Sequence, residues 1–463
     1  MKTIRQTIAT LLIAICATGA MAQTATSSYF LEGAFHNYKL NPAMQPERAY
    51  FSLGAGNISL RLNGNVGISN FLFPNGDNLT TFMSSNVSSD EFLKALPDNA
   101  RIGFNYEQDI FDFGFRMLGG YTSFGMSLHS SMSMLMPKGL FEFAKMGLQN
   151  ENYNFAGLNL NTMNYAAITL GHSREIIKGL NVGLNLKYLA GLAYANLSVD
   201  KLNVELNDKH WMVNSHASAQ AAFLCQAEPM FNEDGAVNGV DFMAKSSSSS
   251  GFAADLGVVY NMNHFVPGLT VSASVTNLGA IKWNNMMNVE SNDAAVEFDG
   301  FGSIDYNDME ASVEDELERL TDDAKKMIEF NYTGSEAFTT KLSPTMYLGA
   351  EYNMPFYDKL SVALLYSQRF SKFDYNKYYD VRGYVNIAPL SWIEATVNYG
   401  VSTYGSTLGW MLNIHPAGFN FFIGSDFMIS KVTPQYIPVD DLNAHVTFGI
   451  GFPVGSKAKK NKN

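Results

Sequence analysis

The sequence predicts an all-β fold: a transmembrane antiparallel β-barrel of about fourteen strands, with an N-terminal plug-like segment and a few short helices in outer loops. Three observations predict it. Segments of about ten residues alternate apolar and polar side chains from end to end, the length that crosses a bilayer as a tilted strand. The connections between them are either short or long, as the two mouths of an outer-membrane barrel require. Aromatic residues make up 13% of the chain and charged residues only 16%, the balance of a lipid-facing wall with aromatic girdles. An extracellular sandwich would share that composition. However, a sandwich of 463 residues would divide into domains joined by linkers, and no linker is visible. A closed sheet also removes the edges that so much β-structure would otherwise expose.

Taken in order, residues 1–22 read as a signal peptide. Lys2 and Arg5 give a basic start, residues 8–17 are apolar, and Ala20-Met21-Ala22 offers a cleavage site before Gln23. Ile15 before Cys16 argues against a lipoprotein signal, which wants a small residue there. Only Cys225 then remains of two cysteines, too few for a disulfide framework or a thiolate metal site.

Residues 23–47 form a plug or a strap at the barrel mouth. Phe30, Leu31, Phe35 and Leu40 need burial that a complete wall does not require of them, which favours a plug inside the barrel. Asn41-Pro42-Ala43 is a tight corner and reads as the hinge where the chain leaves the periplasmic mouth for the first strand. From Ile58, the residues Leu60, Leu62, Val66 and Ile68 alternate with Ser59, Arg61, Asn63 and Asn65, one set on each face of a sheet.

The barrel occupies residues 48–455. Its strands run near 50–68, 101–118, 119–136, 152–173, 180–193, 251–262, 268–283, 340–355, 359–371, 379–388, 392–403, 407–415, 419–429 and 443–454. An even count leaves both ends in the periplasm. Short turns fall at 175–179, 263–267, 356–358, 388–391 and 415–418, and long outer connections at 194–250, 284–339 and 430–442.

The acidic insert within 284–339 stands out. Residues 290–329 carry fourteen Asp and Glu against Arg319, Lys325 and Lys326, and Val313, Leu317, Leu320, Ala324 and Met327 recur at helical spacing. An amphipathic helix on an acidic outer loop is expected, serving either as a solvated collar or as a gate or partner-attracting surface. A second helix is expected over 78–96. Ser246 to Ser250 reads as flexible loop and residues 456–463 as a basic disordered tail.

Several ordered motifs carry a family resemblance. Tyr29-Phe30-Leu31-Glu32-Gly33 and Leu40-Asn41-Pro42-Ala43, then Val275 to Gly279 with Trp283, then Thr340 to Tyr352, Phe419 to Phe427 and Val446 to Phe452, resemble an uncharacterised Bacteroidetes outer-membrane barrel family, classed as a domain of unknown function. The Asn-Pro-Ala corner and the Asn-Leu-Gly strand are also similar to FadL-type fatty-acid transporters and to the PorV- and PorP-like barrels of type IX secretion. This resemblance implies fourteen strands and an N-terminal plug. No fatty-acid site can be carried over residue by residue. The chain also departs from outer-membrane proteins that end on an aromatic, since Pro453, Val454, Gly455 and the lysine tail follow Phe452.

Function classes narrow accordingly. The net charge of −12 argues against nucleic acid, which calls for basic patches. His36, His129, His172, His210, His216, His264, His415 and His445 are scattered singly, outside any catalytic or metal spacing. His210 and His216 share a strand face but read as loop residues. Glycine pairs such as Gly119-Gly120 follow strand ends and open no helix, so no phosphate loop is present. No enzyme and no cofactor are expected. The sequence points to a barrel set in outer-membrane lipid, with FadL-like passive uptake of a hydrophobic or amphipathic small molecule through an apolar pocket between plug and wall. The alternative is a non-transporting barrel that anchors or escorts envelope or secreted proteins, in the manner of PorV and PorP.

Overall fold

The computed structural model describes residues 24–46, 48–76, 78–147, 152–206, 211–292, 294–298, 329–371, 377–403, 405–428 and 443–455. Their strands close into one antiparallel barrel of fourteen. In chain order these are β1 (Ala49–Leu53 and Ile58–Gly64), β2 (Asn99–Met117), β3 (Gly120–Pro137), β4 (Asn159–Ile177) and β5 (Leu180–Leu206). Next come β6 (Trp211–Phe223 and Ser250–Asn261), β7 (Leu269–Ser291), β8 (Phe330–Lys341 and Thr345–Asn353), β9 (Leu360–Arg369) and β10 (Tyr378–Leu390). The ring is completed by β11 (Ile393–Ser402), β12 (Gly405–Ile414), β13 (Asn420–Met428) and β14 (Ala444–Val454). Each pairs with its chain neighbour, and β1 closes the ring, with Ser59 opposite Glu107 of β2 on one side and Thr447 of β14 on the other.

The faces of the wall are inverted relative to a water-soluble protein. Along β10, Tyr379, Val381, Val385 and Ile387 are exposed, while Asp380, Arg382, Tyr384 and Asn386 are buried inside. β11 repeats the pattern with Val397, Tyr399 and Val401 outward and Glu394, Thr396 and Asn398 inward. An apolar belt in water would forfeit about 25 cal/mol for every Å² left exposed. A bilayer removes that penalty, and the belt marks a membrane-spanning barrel of the outer-membrane type.

The start of β1, the end of β14 and the short turns share one mouth. Gly179, Gly268 and Gly418 take positive φ in those turns (83°, 87° and 82°), where a side chain would strain the backbone. The opposite mouth is taller on one flank, because β5 to β8 climb past the belt. It is capped by two helices, α1 (Ser89–Lys94) and α2 (Lys138–Met146), around the apolar cluster of Val66, Val87, Phe92, Leu96, Ala100 and Phe141. Ser88 starts α1 by accepting from Glu91 N at 3.1 Å.

Several elements differ from the sequence reading. Residues 194–250 are largely strand, about half of it wall: β5 runs on to Leu206, Trp211–Phe223 returns beside it, and a hairpin of Cys225–Phe231 and Val237–Ser246 follows. The contrast between faces fades there because both are wet above the belt. The first strand stops at Gly64 instead of 68 and is interrupted after Leu53, and Ile68–Asn70 is a 3-10 turn. The fourth strand starts at Asn159, while Asn152–Asn154 pairs separately with the upper part of β5. Residues 78–96 hold a strand piece, Asn78–Thr81, before the short α1.

The serine run is fixed in place. Ser247 Oγ donates to Phe223 O at 2.5 Å, and Ser249 Oγ accepts from Asn284 N at 3.0 Å. The helix expected in the acidic insert, the 430–442 loop, the signal peptide and the basic tail lie outside the described residues.

Candidate functional site: the barrel lumen

Residues 24–46 lie inside the ring. They bond to β2, β5, β6, β7, β10, β11 and β13, strands from every quarter of the wall, which only a lumenal segment can do. Four anchors hold the segment.

The first is Asp426 on β13. Its carboxylate accepts from Thr26 N at 2.9 Å, Ser27 N at 2.8 Å and Ser27 Oγ at 2.6 Å, at a 3-10 turn whose amides would otherwise be buried without partners. Arg61 Nη2 donates to the same carboxylate at 2.5 Å. His445 Nδ1 accepts from Asp426 N at 2.8 Å, and its Nε2 meets Ser59 Oγ at 2.9 Å. Arg382 ties the neighbouring strands together, donating to Asp380, Asn398, Thr407 and Asp426 O at 2.7 to 3.0 Å. Removing any one charge would strand the others out of water.

The second anchor is Glu394, whose two oxygens accept from Gly33 N at 3.0 and 2.9 Å, while Asn420 donates to Gly33 O at 2.7 Å. A Cβ on Gly33 would lie 2.6 Å from His415 Nε2, so this close approach requires glycine. The third anchor is the acidic face of β2. Tyr38 donates to Asp112 at 2.8 Å, Thr24 N donates to Glu107 at 3.2 Å, and Lys39 pairs with Glu107 at 3.0 Å and with Asp109. Burial alone would push the Lys39 ammonium down; Asp109 and Glu107 overcome it and hold its pKa above the usual lysine range. Burial, aided by Asp112, raises the Tyr38 phenol.

The fourth anchor is the corner Asn41-Pro42-Ala43. Asn41 Oδ1 accepts from Ala43 N at 3.0 Å, closing the turn, and Asn41 Nδ2 donates to Val258 O at 3.1 Å. Ser274 Oγ donates to Leu40 O at 2.6 Å. Where the corner touches the wall the residues are glycines: a Cβ on Gly183 would stand 2.1 Å from Pro42 C, and one on Gly257 2.0 Å from Asn41 Oδ1. The corner therefore sits docked inside the wall of β5 to β7, some way before β1 begins at Ala49.

Apolar packing accompanies the anchors. Leu31, Phe35 and Tyr38 pack on Tyr50, Met411 and Phe422, and Tyr29, Phe30 and Leu40 on Tyr347, Leu365 and Tyr384. Burying each such side chain contributes about 1.5–3 kcal/mol, so packing carries much of the docking. His36 stacks on Phe422 with ring centroids 4.1 Å apart. Burial, assisted by Lys39, holds its pKa down to about 3, which keeps the ring neutral.

Of the cavities that border the segment, Tyr38 lines two. One, of about 170 Å³, lies toward the taller mouth against Lys39, Glu107, Asp109, Met163, Tyr165 and Leu342. The other, of about 280 Å³, lies toward the short turns, between Tyr29, Phe30 and Met44 on one side and Thr270, Ser272 and Glu351 on the other. Both mix polar and apolar walls, where the sequence reading had an apolar pocket.

Among the described residues no cluster of three or more His, Cys, Asp and Glu side chains is placed to hold a metal. His210 lies outside the described residues, and His216 faces Asp200 at 3.4 Å. The carboxylates that bind the lumenal segment were not singled out from sequence. Their only signal is an acidic residue at inward positions of strands whose other face is apolar.

The model of a family of unknown function, DUF5723, matches residues 42–426. Among solved structures, the fold is similar to the Ralstonia pickettii toluene transporter TbuX, 9% identical over 94% of each chain with a TM-score of 0.40. It is also similar to the P. putida toluene transporter TodX, 7% identical over 95% of this chain and 96% of that one, TM-score 0.41. A Pseudomonas aeruginosa FadL homologue is 10% identical over 94% and 98%, TM-score 0.40. At these levels the likeness adds nothing to the architecture that the strand pairing already defines. No curated protein matches the sequence.

Proposed function

The chain belongs to DUF5723, a family of unknown function, and on that footing we propose that it is a gated outer-membrane passage for an amphipathic small molecule. In this reading residues 23–47 are the plug, and Asn41-Pro42-Ala43 is the corner about which the plug turns when it yields. The observation that carries the proposal is the pair of cavities on opposite sides of residues 24–46, with Tyr38 lining both. A barrel serving only as an anchor has no need of solute-sized spaces on both sides of its filling. The mixed lining favours an amphipathic solute over a purely hydrophobic one, because buried carboxylates left facing a hydrocarbon would lose their partners.

Held by hydrogen bonds to several separate carboxylates, the plug can shift stepwise without the wall changing shape. Liposome swelling with amphipathic solutes of graded size, using the intact protein, tests the reading. Swelling above that of protein-free vesicles is expected for small amphipathic solutes; if all of them are excluded, the passage reading fails.

A further inference from the structure

The taller-mouth cavity carries two observations that its role in a passage does not use. The first is a β-bulge. The register between β2 and β3 shifts between Asp109 and Phe111, leaving Ile110 as the extra residue. Strict alternation would send Asp112 to the lipid side, three positions after Asp109. The bulge turns it inward, so Glu107, Asp109 and Asp112 all face the lumen, buried to 5%, 1% and 1% exposure. Bulges re-aim single side chains in this way beside functional sites.

The second observation is what these carboxylates lack. Glu107 is occupied by Lys39 and Thr24. Asp255, on the far side, is occupied by Lys187 at 2.8 Å, Asn185 at 3.0 Å and Asn277 N at 2.7 Å. Asp109 Oδ2 and Asp112 Oδ1, by contrast, are buried with no hydrogen-bond partner. Among the described residues no cation makes a contact ion pair with Asp112; the Tyr38 and Tyr50 hydroxyls hold its other oxygen at 2.8 and 3.1 Å. Four carboxylates line this cavity against Lys39, Lys187 and Arg369. A buried carboxylate oxygen without a donor is costly, and it is the group that a cationic donor would satisfy.

Opposite lies apolar surface. Tyr165 and Leu342, with Met163 against them, belong to the cluster built on Trp283, Ile281 and Met286. A chain of several carbons fits along it while a charged end reaches β2. The geometry points to a binding site for a primary ammonium compound with a short apolar tail. Its nitrogen is held by Asp109 and Asp112, and its tail lies on Met163, Tyr165 and Leu342. The inference deepens the passage reading by naming the class of cargo, but the site binds its ligand whether or not the ligand crosses. The ammonium would share Asp109 with Lys39 and Asp112 with Tyr38, two of the contacts that hold the lumenal segment.

The test is calorimetric titration of the purified full-length protein in a non-ionic detergent with n-hexylammonium, hexanoate and hexanol, which share one tail. Hexylammonium is expected to bind about tenfold or more tighter than either of the others, the scale of a charge-assisted hydrogen bond. Equal binding of hexanol or hexanoate would overturn the assignment. Asp112→Asn should lower hexylammonium affinity about tenfold and leave hexanol unchanged. Should that variant not fold, as judged by its unheated gel mobility, Gly125→Ala carries the test. Its new methyl would lie 3.1 Å from Asp112 Oδ1, covering the oxygen while keeping the charge. Unaltered ammonium binding in a folded Asp112→Asn or Gly125→Ala protein would sink the site. Binding of the ammonium without vesicle swelling would leave the site standing and remove only the passage.

Discussion

His36 is a base placed where it cannot be charged. Both ring nitrogens are buried without a partner, and burial holds the pKa down to about 3. An exposed histidine titrates near 6.5. When residues 24–46 leave the wall, the ring takes up a proton that the docked form refuses. Docking is therefore unaffected above about pH 6.5 and weakens as pH falls toward 3, by at most about 1.4 kcal/mol for each unit. Limited proteolysis should cut within the segment faster at pH 4.5 than at 7.5. His36→Phe, which keeps the stack on Phe422, should remove most of that difference. Lys39 works in the opposite sense: its pKa is raised, so its contribution is complete below the usual lysine value and is lost as pH rises beyond it. Asp426 gathers two amides, a hydroxyl and a guanidinium. Asp426→Ala leaves Arg61 buried with its charge unmatched and should cost about 3–5 kcal/mol of barrel stability, while Asp426→Asn, which keeps an acceptor, should cost less. Thermal unfolding followed by circular dichroism in detergent reads both changes. None of this was legible beforehand, since no spacing in the sequence links Asp426 to Ser27 across the barrel.

At the scale of elements, alternation was readable wherever one face meets lipid and the other the lumen. Each of the fourteen wall strands includes a segment read as strand, β10 and β11 most clearly. Trp211–Phe223 of β6 and most of Phe330–Lys341 of β8, however, lie in stretches read as outer connections. Where β5 and β6 rise past the belt the period of two persists, but both faces carry polar residues. Asn196, Ser198, Asp200 and Asn203 on β5 look no different from loop. The bulges were equally hidden, because an inserted residue such as Ile110 alters no local propensity and shows only against a partner strand. The hairpin at Cys225–Ser246 forms its own two-stranded sheet, outside the hydrogen-bonded wall and touching it through Phe242 on Phe223 and Phe231 on Tyr332. Replacing 225–246 with a short Gly-Ser linker should therefore leave the heat-modifiable gel shift of the barrel intact and change stability by less than about 1 kcal/mol. Loss of the folded band would show instead that the hairpin helps close the wall.

Over the whole molecule, hydrophobicity is turned inside out. Leu184, Leu186, Val397 and Val446 face outward, and the interior is filled by Arg61, Glu107, Arg382, Asp426 and a stretch of chain that bonds to Glu107 and Asp426. Composition and loop rhythm made the barrel readable from sequence. Phe30 and Phe35 announced that the first residues need cover. What the sequence could not convey was that the cover is ionic as much as apolar, because pairs such as Lys39 with Glu107 or Arg61 with Asp426 join residues far apart in the chain. The central claim is that this segment closes the lumen. Single-channel recording in planar bilayers tests it most directly, comparing the intact protein with a form lacking residues 23–47. The account predicts small or intermittent conductance for the intact protein and a large, steady, voltage-independent conductance once the segment is gone. Equal conductance from two folded forms would contradict it.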